Sequence, residues 1–458
     1  MKIKRFAFGL LSSTLLACNF VMQMITPPTP LPTATFTPSL TPTPTPLVPA
    51  YIPPQCAGQP FATVPPEQAA LPTAELTANP DISKSEQLRV LKRIGEIVRA
   101  VYVYPDFNGK DWNEIEARYT AKVEAGLDTE SFYHEMQAMI EELGDEHSYL
   151  LSPLEVKEDE AALRGQSEFV GIGIYAQPDL ETGRMIVIST FPGSPAEHAG
   201  IKPHDTILLA DGLPPVVNEM HNRVRGPECS AVILKVQSPG EAPRDLMLIR
   251  STIRGGLTID ARLVPTSDGS KIGYLFIPTF FDETIPPQIE AALNEFGPLD
   301  GLILDVRLNG GGSSSVVEPI MAHFLNGRVG RFVSRSTSRV MTIEPNPIHN
   351  SQTVPLIVIV SEDTASFGEI FAGVLRDARQ AKIVGETSLG NVEVLNGYNL
   401  PDGSMLWIAA ETFDSDFSDD NWEETGIVPD VHAFAEWNTF YFETDPSLAA
   451  ALELLGHK

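Results

Sequence analysis

The sequence predicts an α/β fold: a layered α/β core at residues 258–435, with an inserted β-domain at 167–252 and a helical domain at 67–160 before it. Two observations define the core. The runs at 301–306 (Gly-Leu-Ile-Leu-Asp-Val) and 355–360 (Pro-Leu-Ile-Val-Ile-Val) are almost continuously apolar, as strands covered on both faces are. Each leads through a turn of small residues into a helical pattern, so strands and helices alternate. The third observation sets the remainder apart: before residue 258 the apolar spacing is first helical, then that of short strands broken by turns.

The chain of 458 residues is long enough for two or three domains with separate cores. It carries 32 Lys and Arg against 60 Asp and Glu, a formal charge of −28. So acidic a surface repels polyanions, so neither nucleic acid nor a polybasic membrane contact is expected. Residues 1–17 read as an export signal: Lys2, Lys4 and Arg5 precede an apolar run too short to span a bilayer. It ends Leu15-Leu16-Ala17-Cys18, which resembles a bacterial lipobox. That resemblance implies a lipidated Cys18 and an exported protein anchored on the outer side of the cytoplasmic membrane, at the cell surface or in a periplasm. The alternative is an ordinary signal with Cys18 incidental. Residues 18–66 form a tether, with eleven Pro and eight Thr between 26 and 55 and no charged residue between Arg5 and Glu67. Such a stretch cannot build a core and reads as an extended spacer.

In the helical domain Leu88, Val90, Leu91, Ile94, Ile97 and Val98 recur mostly at spacings of three and four. Further helices are expected at 112–125 and 129–143. In the β-domain, strand-like runs at 169–174, 185–188 and 206–212 enclose Gly193-Ser194-Pro195-Ala196. This order resembles a PDZ domain. The resemblance implies that Gly171-Ile172-Gly173-Ile174 is the loop whose N–H groups capture a peptide's C-terminal carboxylate; a structural glycine turn is the alternative. In the core, strands are expected at 271–277, 301–306, 355–360 and 381–384. Helices are expected at 287–296, from the glycine loop through 325, and at 366–376, with a C-terminal helix or tail at 436–458.

Two turns at strand C-terminal ends carry the chemistry, where open α/β sheets place their sites. The first is Asp305-Val306-Arg307-Leu308-Asn309-Gly310-Gly311-Gly312-Ser313, which lets backbone approach a ligand closely. A nucleotide loop is not expected, because Gly-x-x-x-x-Gly-Lys-[Ser/Thr] is absent. The second is Thr364-Ala365-Ser366-Phe367-Gly368-Glu369. Here Ser366 sits as in a nucleophile elbow, or as a plain helix N-cap. No metal-ligand spacing occurs, so no metal and no cofactor are inferred.

Together with Ile383-Val384-Gly385-Glu386, Leu400-Pro401-Asp402-Gly403 and Gly426-Ile427-Val428-Pro429-Asp430, these motifs resemble the C-terminal processing peptidases, over about residues 81–435. The resemblance implies a crotonase-like (ClpP/crotonase) core with an inserted PDZ domain. It also implies Ser366 as nucleophile, with the N–H groups of Gly311 and Phe367 as the oxyanion hole. The commonest form of that family uses a Lys base where this chain has Asn391, whose neutral amide cannot take a proton; Lys382 is nearby but on a strand. The tricorn-like branch uses His and Glu instead. By that resemblance His147 is the base and Glu423 the orienting acid, with Glu424 beside it as the alternative. Imidazole, titrating at about 6.5, suits a base at neutral pH.

Cys56 and Cys229, the cysteines left besides Cys18, pair in an oxidising exterior or remain thiols. The acidic run at 414–424 is a solvated loop or a gate. The expected function is therefore a lipid-anchored serine endopeptidase acting on polypeptides with a free C-terminus, its oligomeric state open. A non-catalytic PDZ-bearing peptide-binding or scaffolding lipoprotein is the alternative. A crotonase-type acyl-CoA enzyme is disfavoured by the export signal and the PDZ-like segment.

Overall fold

A six-stranded sheet forms the core, in the order Asp260–Val264, Ile272–Phe276, Gly301–Asp305, Leu356–Val360, Lys382–Gly385, Val431–His432. The first pair is antiparallel and the rest are parallel. Every residue of the three strands Ile272–Phe276, Gly301–Asp305 and Leu356–Val360 is buried. Alternate residues face opposite layers: Leu302, Leu304 and Val358 meet helices Ile285–Phe296, Ser314–Met321 and Phe367–Arg379, while Ile303, Ile357 and Ile359 meet helix Pro446–Leu454. The continuous apolar runs follow from this double cover. This computed structural model describes residues 47–63, 79–145, 147–217 and 222–457; the expected signal, Cys18 and most of the tether lie outside them.

A second sheet was not anticipated from the sequence. Its order is Ser338–Ile343, Gly327–Val333, Met405–Ser415, Val394–Asn399, and Tyr149–Leu151 pairs with the start of Met405–Ser415. That last strand joins the helical domain to the core. Helices Lys84–Val101, Trp112–Ala125 and Thr129–Glu141 share one apolar cluster with Leu406 and Ile408 of this sheet and Leu400 of the turn between its strands. Their starts are capped by Ser83, Asp111 and Asp128, whose side chains accept the otherwise unpaired first N–H groups.

The β-domain has its own sheet, ordered Ala62–Thr63, Ser230–Gln237, Thr206–Ala210, Arg184–Thr190, Ile174–Asp179, with Arg244–Ile249 also on Ser230–Gln237. An antiparallel pair, Ser167–Gly171 with Ser251–Gly255, leads into and out of it. Cys56 and Cys229 form a disulfide, so segment 54–63 is fastened to this sheet's edge. The C-terminal segment clamps the domain to the core. Trp437 Nε1 donates to the Val187 carbonyl at 3.0 Å, and the His204 ring stacks on Trp437 with centroids 4.0 Å apart.

Two boundaries moved. The helix expected to run through 325 ends at Met321, beyond which the chain tightens into a shorter-range turn (His323 N–H to the Ile320 carbonyl, 3.2 Å). The helix after the serine turn begins at Phe367 and runs to Arg379. Half of the acidic run is paired: Asp414 with Arg331 at 3.1 Å, Asp416 with Arg328 at 2.5 Å, and Asp420 with Arg376 at 3.0 Å.

Candidate active site

The two chemistry-bearing turns leave adjacent parallel strands, Gly301–Asp305 and Leu356–Val360, and are stitched together. Thr364 Oγ1 donates to the Val306 carbonyl at 2.9 Å, and the Ala365 N–H to the Asn309 carbonyl at 3.1 Å. Beneath them Arg307 is buried between Asp305 and Asp445, whose carboxylates balance its charge.

Ser366 ends the second turn at φ +53° and ψ −125°, a region side-chain-bearing residues rarely occupy. Its side chain makes no N-cap hydrogen bond, so the N-cap alternative has no support in the geometry. Gly311 lies against it. A Cβ there would stand 2.7 Å from the Ser366 Cβ and 3.1 Å from the Phe367 N, so only glycine permits this approach. The two expected oxyanion donors differ: the Phe367 N–H meets no acceptor among the described residues, whereas the Gly311 N–H donates to Asn309 Oδ1 at 2.8 Å.

The segment that follows Gly385 passes over the serine and is held by Glu369. This fully buried carboxylate, raised in pKa by burial, accepts from Ser388 Oγ at 2.5 Å, from the Gly390 N–H at 2.8 Å and from the Asn391 N–H at 2.8 Å. The Asn391 carbonyl in turn accepts the Ser366 N–H at 2.7 Å. Asn391 Oδ1 is buried without a partner. Lys382 points away, paired with Asp430 at 2.9 Å.

His147 enters from the helical domain. Asp145 fixes its backbone, with Oδ1 accepting the N–H groups of His147 (3.1 Å) and Ser148 (2.9 Å). Its Nδ1 lies 3.7 Å from Glu393 Oε2. Glu423 is close to both: its Oε2 accepts the Val392 N–H at 2.7 Å, and burial together with the Glu393 charge pushes its carboxyl up to about 7. Glu424 is exposed. His147 and Ser366 are not hydrogen-bonded to each other in this conformation; such bonds often tighten only with substrate in place. Glu393 escaped the sequence reading. Val392-Glu393-Val394 looks like an ordinary strand start, and only its burial and its contact with Tyr104 mark it.

In the β-domain, Gly171-Ile172-Gly173-Ile174 borders a cavity of about 150 Å³, also lined by Phe169, Met185, Val224 and Arg225. The N–H groups of Ile172 and Gly173 meet no acceptor among the described residues, while their carbonyls are taken by Ala196 and Phe191. The Arg225 guanidinium sits 4.7 Å from the Phe169 ring centre.

Residues 271–433 match the model of peptidase family S41, and residues 84–141 that of the tricorn protease C1 domain. The carboxyl-terminal-processing protease of Synechocystis sp. is 28% identical over 385 residues, covering 81% of this chain and 87% of that protein. The chloroplastic carboxyl-terminal-processing peptidase 2 of Arabidopsis thaliana is 30% identical, covering 75% and 68%. Among solved structures, the photosystem II D1 C-terminal processing protease shares the fold, with a TM-score of 0.54 at 24% identity, over 77% of this chain and 93% of that one. The fold is thus that of an α/β serine-type peptidase. The chain belongs to peptidase family S41, the carboxyl-terminal processing proteases.

Proposed function

We propose that this chain is an exported, lipid-anchored endopeptidase. A PDZ-type β-domain captures the free C-terminus of a polypeptide, and a crotonase-like core cuts the chain with Ser366. The observation that carries this reading is the strained Ser366, held against Gly311 with the Phe367 N–H open beside it. His147 Nε2 takes the Ser366 proton as Oγ attacks the scissile carbonyl; the carbonyl's π pair moves onto its oxygen, facing the Phe367 N–H. Collapse breaks the C–N bond, and the same proton passes from Nε2 to the leaving amine. Water then releases the acyl group by the same route. The acid that completes the set comes from Glu423 or its neighbour Glu393. Asn391 at the lysine position supports a histidine base over a lysine.

Capture is supported by the open N–H groups of Ile172 and Gly173 and by Arg225, a cation suited to a terminal carboxylate. The Cys56–Cys229 disulfide supports an oxidising, exported location. The test is a fluorophosphonate probe on the full-length chain. Labelling that disappears in Ser366→Ala supports the enzyme; an unlabelled wild-type chain favours the non-catalytic binder.

A further inference from the structure

Two orphaned atoms face each other beside the candidate base. His147 Nδ1 and Glu393 Oε2 are both buried without a hydrogen-bond partner, 3.7 Å apart. Glu393 is 2% exposed, and its other oxygen accepts the Tyr104 hydroxyl. Glu423 makes no hydrogen bond to His147, and its Oε2 is committed to the backbone N–H of Val392. A buried carboxylate oxygen left unpaired is costly, and a donor this close needs only a small ring movement to satisfy it. The same short stretch also holds the serine, since the Asn391 carbonyl accepts the Ser366 N–H at 2.7 Å. Residues 391–393 therefore touch nucleophile and base at once.

We propose that Glu393 is the residue that positions His147, accepting its Nδ1–H, while Glu423 braces the backbone that carries Glu393. The proposal rests on the Ser366–His147 reading above. With Nδ1–H held, Nε2 is the nitrogen left to accept the serine proton. That proton stays on Nε2 until the leaving amine takes it, and none passes to Glu393. The titratable groups facing the ring are Glu393 and Glu423 from Trp422–Thr425; around Glu393 in turn stand Tyr102 and Tyr104, beyond helix Lys84–Val101, and both tyrosines also feel Asp145 on the ring's own segment. A Gln at 423 keeps a carbonyl oxygen for the Val392 N–H; a Gln at 393 removes the charge from the imidazole's side.

The test compares Glu393→Gln, Glu393→Asp, Glu423→Gln and His147→Ala in the full-length chain, using fluorescein-labelled casein turnover across pH. Glu393→Gln is expected to lower kcat roughly 10³- to 10⁴-fold with KM within about threefold, and to move the acid limb of kcat/KM to lower pH. Glu393→Asp restores part of the rate. Glu423→Gln loses about tenfold and keeps the limb in place. A merely structural role for Glu393 would not move the limb. The proposal is overturned if Glu393→Gln stays within about tenfold of wild type, or if the limb moves with Glu423→Gln instead. Should Glu393→Gln fail to fold, Tyr104→Phe, which strips the other oxygen of Glu393, must shift the limb, and an unmoved limb overturns the idea. His147→Ala separates the two levels. If it retains turnover, the Ser–His reading falls and takes this proposal with it; if it is dead beside an active Glu393→Gln, only this proposal falls.

Discussion

Ser366 holds a backbone conformation that costs on the order of 1–3 kcal/mol, and it persists because its surroundings leave no alternative. Its N–H is tied to Asn391, and its carbonyl accepts from Glu369 and Ile370 at the helix start. The half-buried Glu423 carboxyl stores a second cost. Glu423, pushed up to about 7 by burial and by Glu393, binds a proton in the folded chain that the unfolded chain gives up near 4.5. Its contribution to stability is complete below the unfolded value and is lost as pH rises through about 7. Glu423→Gln removes that loss. Thermal unfolding of the variant relative to wild type should therefore improve as pH rises from about 5 to about 7 and level off above that; a difference independent of pH would refute the assignment. Ser366 and His147 stand out as candidates in the sequence because they sit in motifs. Glu393 does not, because its meaning comes from Tyr104 and His147, both far away in sequence.

At the level of elements, the core strands were legible because burial on both faces leaves an unbroken apolar run. The second sheet was not. Strands Gly327–Val333, Ser338–Ile343 and Met405–Ser415 carry Arg328, Arg331, Arg339, Glu411 and Asp414, which blur any alternation. Most of those charges are satisfied across strands, as Arg339 with Glu411 at 2.9 Å and Arg331 with Asp414 at 3.1 Å, while Arg328 pairs with Asp416 just past a strand end; pairing partners cannot be read from periodicity. The glycine loop before Ile174–Asp179 makes its own prediction. If Ile172 and Gly173 donate to a terminal carboxylate, amidating a peptide substrate's C-terminus should raise KM about tenfold or more, since a charge-assisted pair is lost. Equal kcat/KM for acid and amide would show that the β-domain does not read the terminus.

Across the whole molecule, the β-domain is fastened twice. Trp437 and His204 hold one side to the core around a cavity of about 270 Å³, and the Cys56–Cys229 bridge holds segment 54–63 to the other. The sequence left that pairing open because spacing alone cannot close a bridge over a separation of 173 residues. Cys56→Ser should lower stability by about 2–4 kcal/mol, seen as an earlier urea transition of the β-domain. An unchanged midpoint would mean the bridge adds nothing to the fold. The larger consequence is that the proposed catalytic set is split: the helical domain brings His147, and the core brings Ser366 with both glutamates. The most direct measurement is Ser366-dependent peptide turnover by His147→Ala beside wild type. The account predicts a loss of roughly 10⁴-fold or more, with the Ser366→Ala/His147→Ala double variant scarcely worse. A His147→Ala enzyme that keeps most of its Ser366-dependent turnover would contradict it.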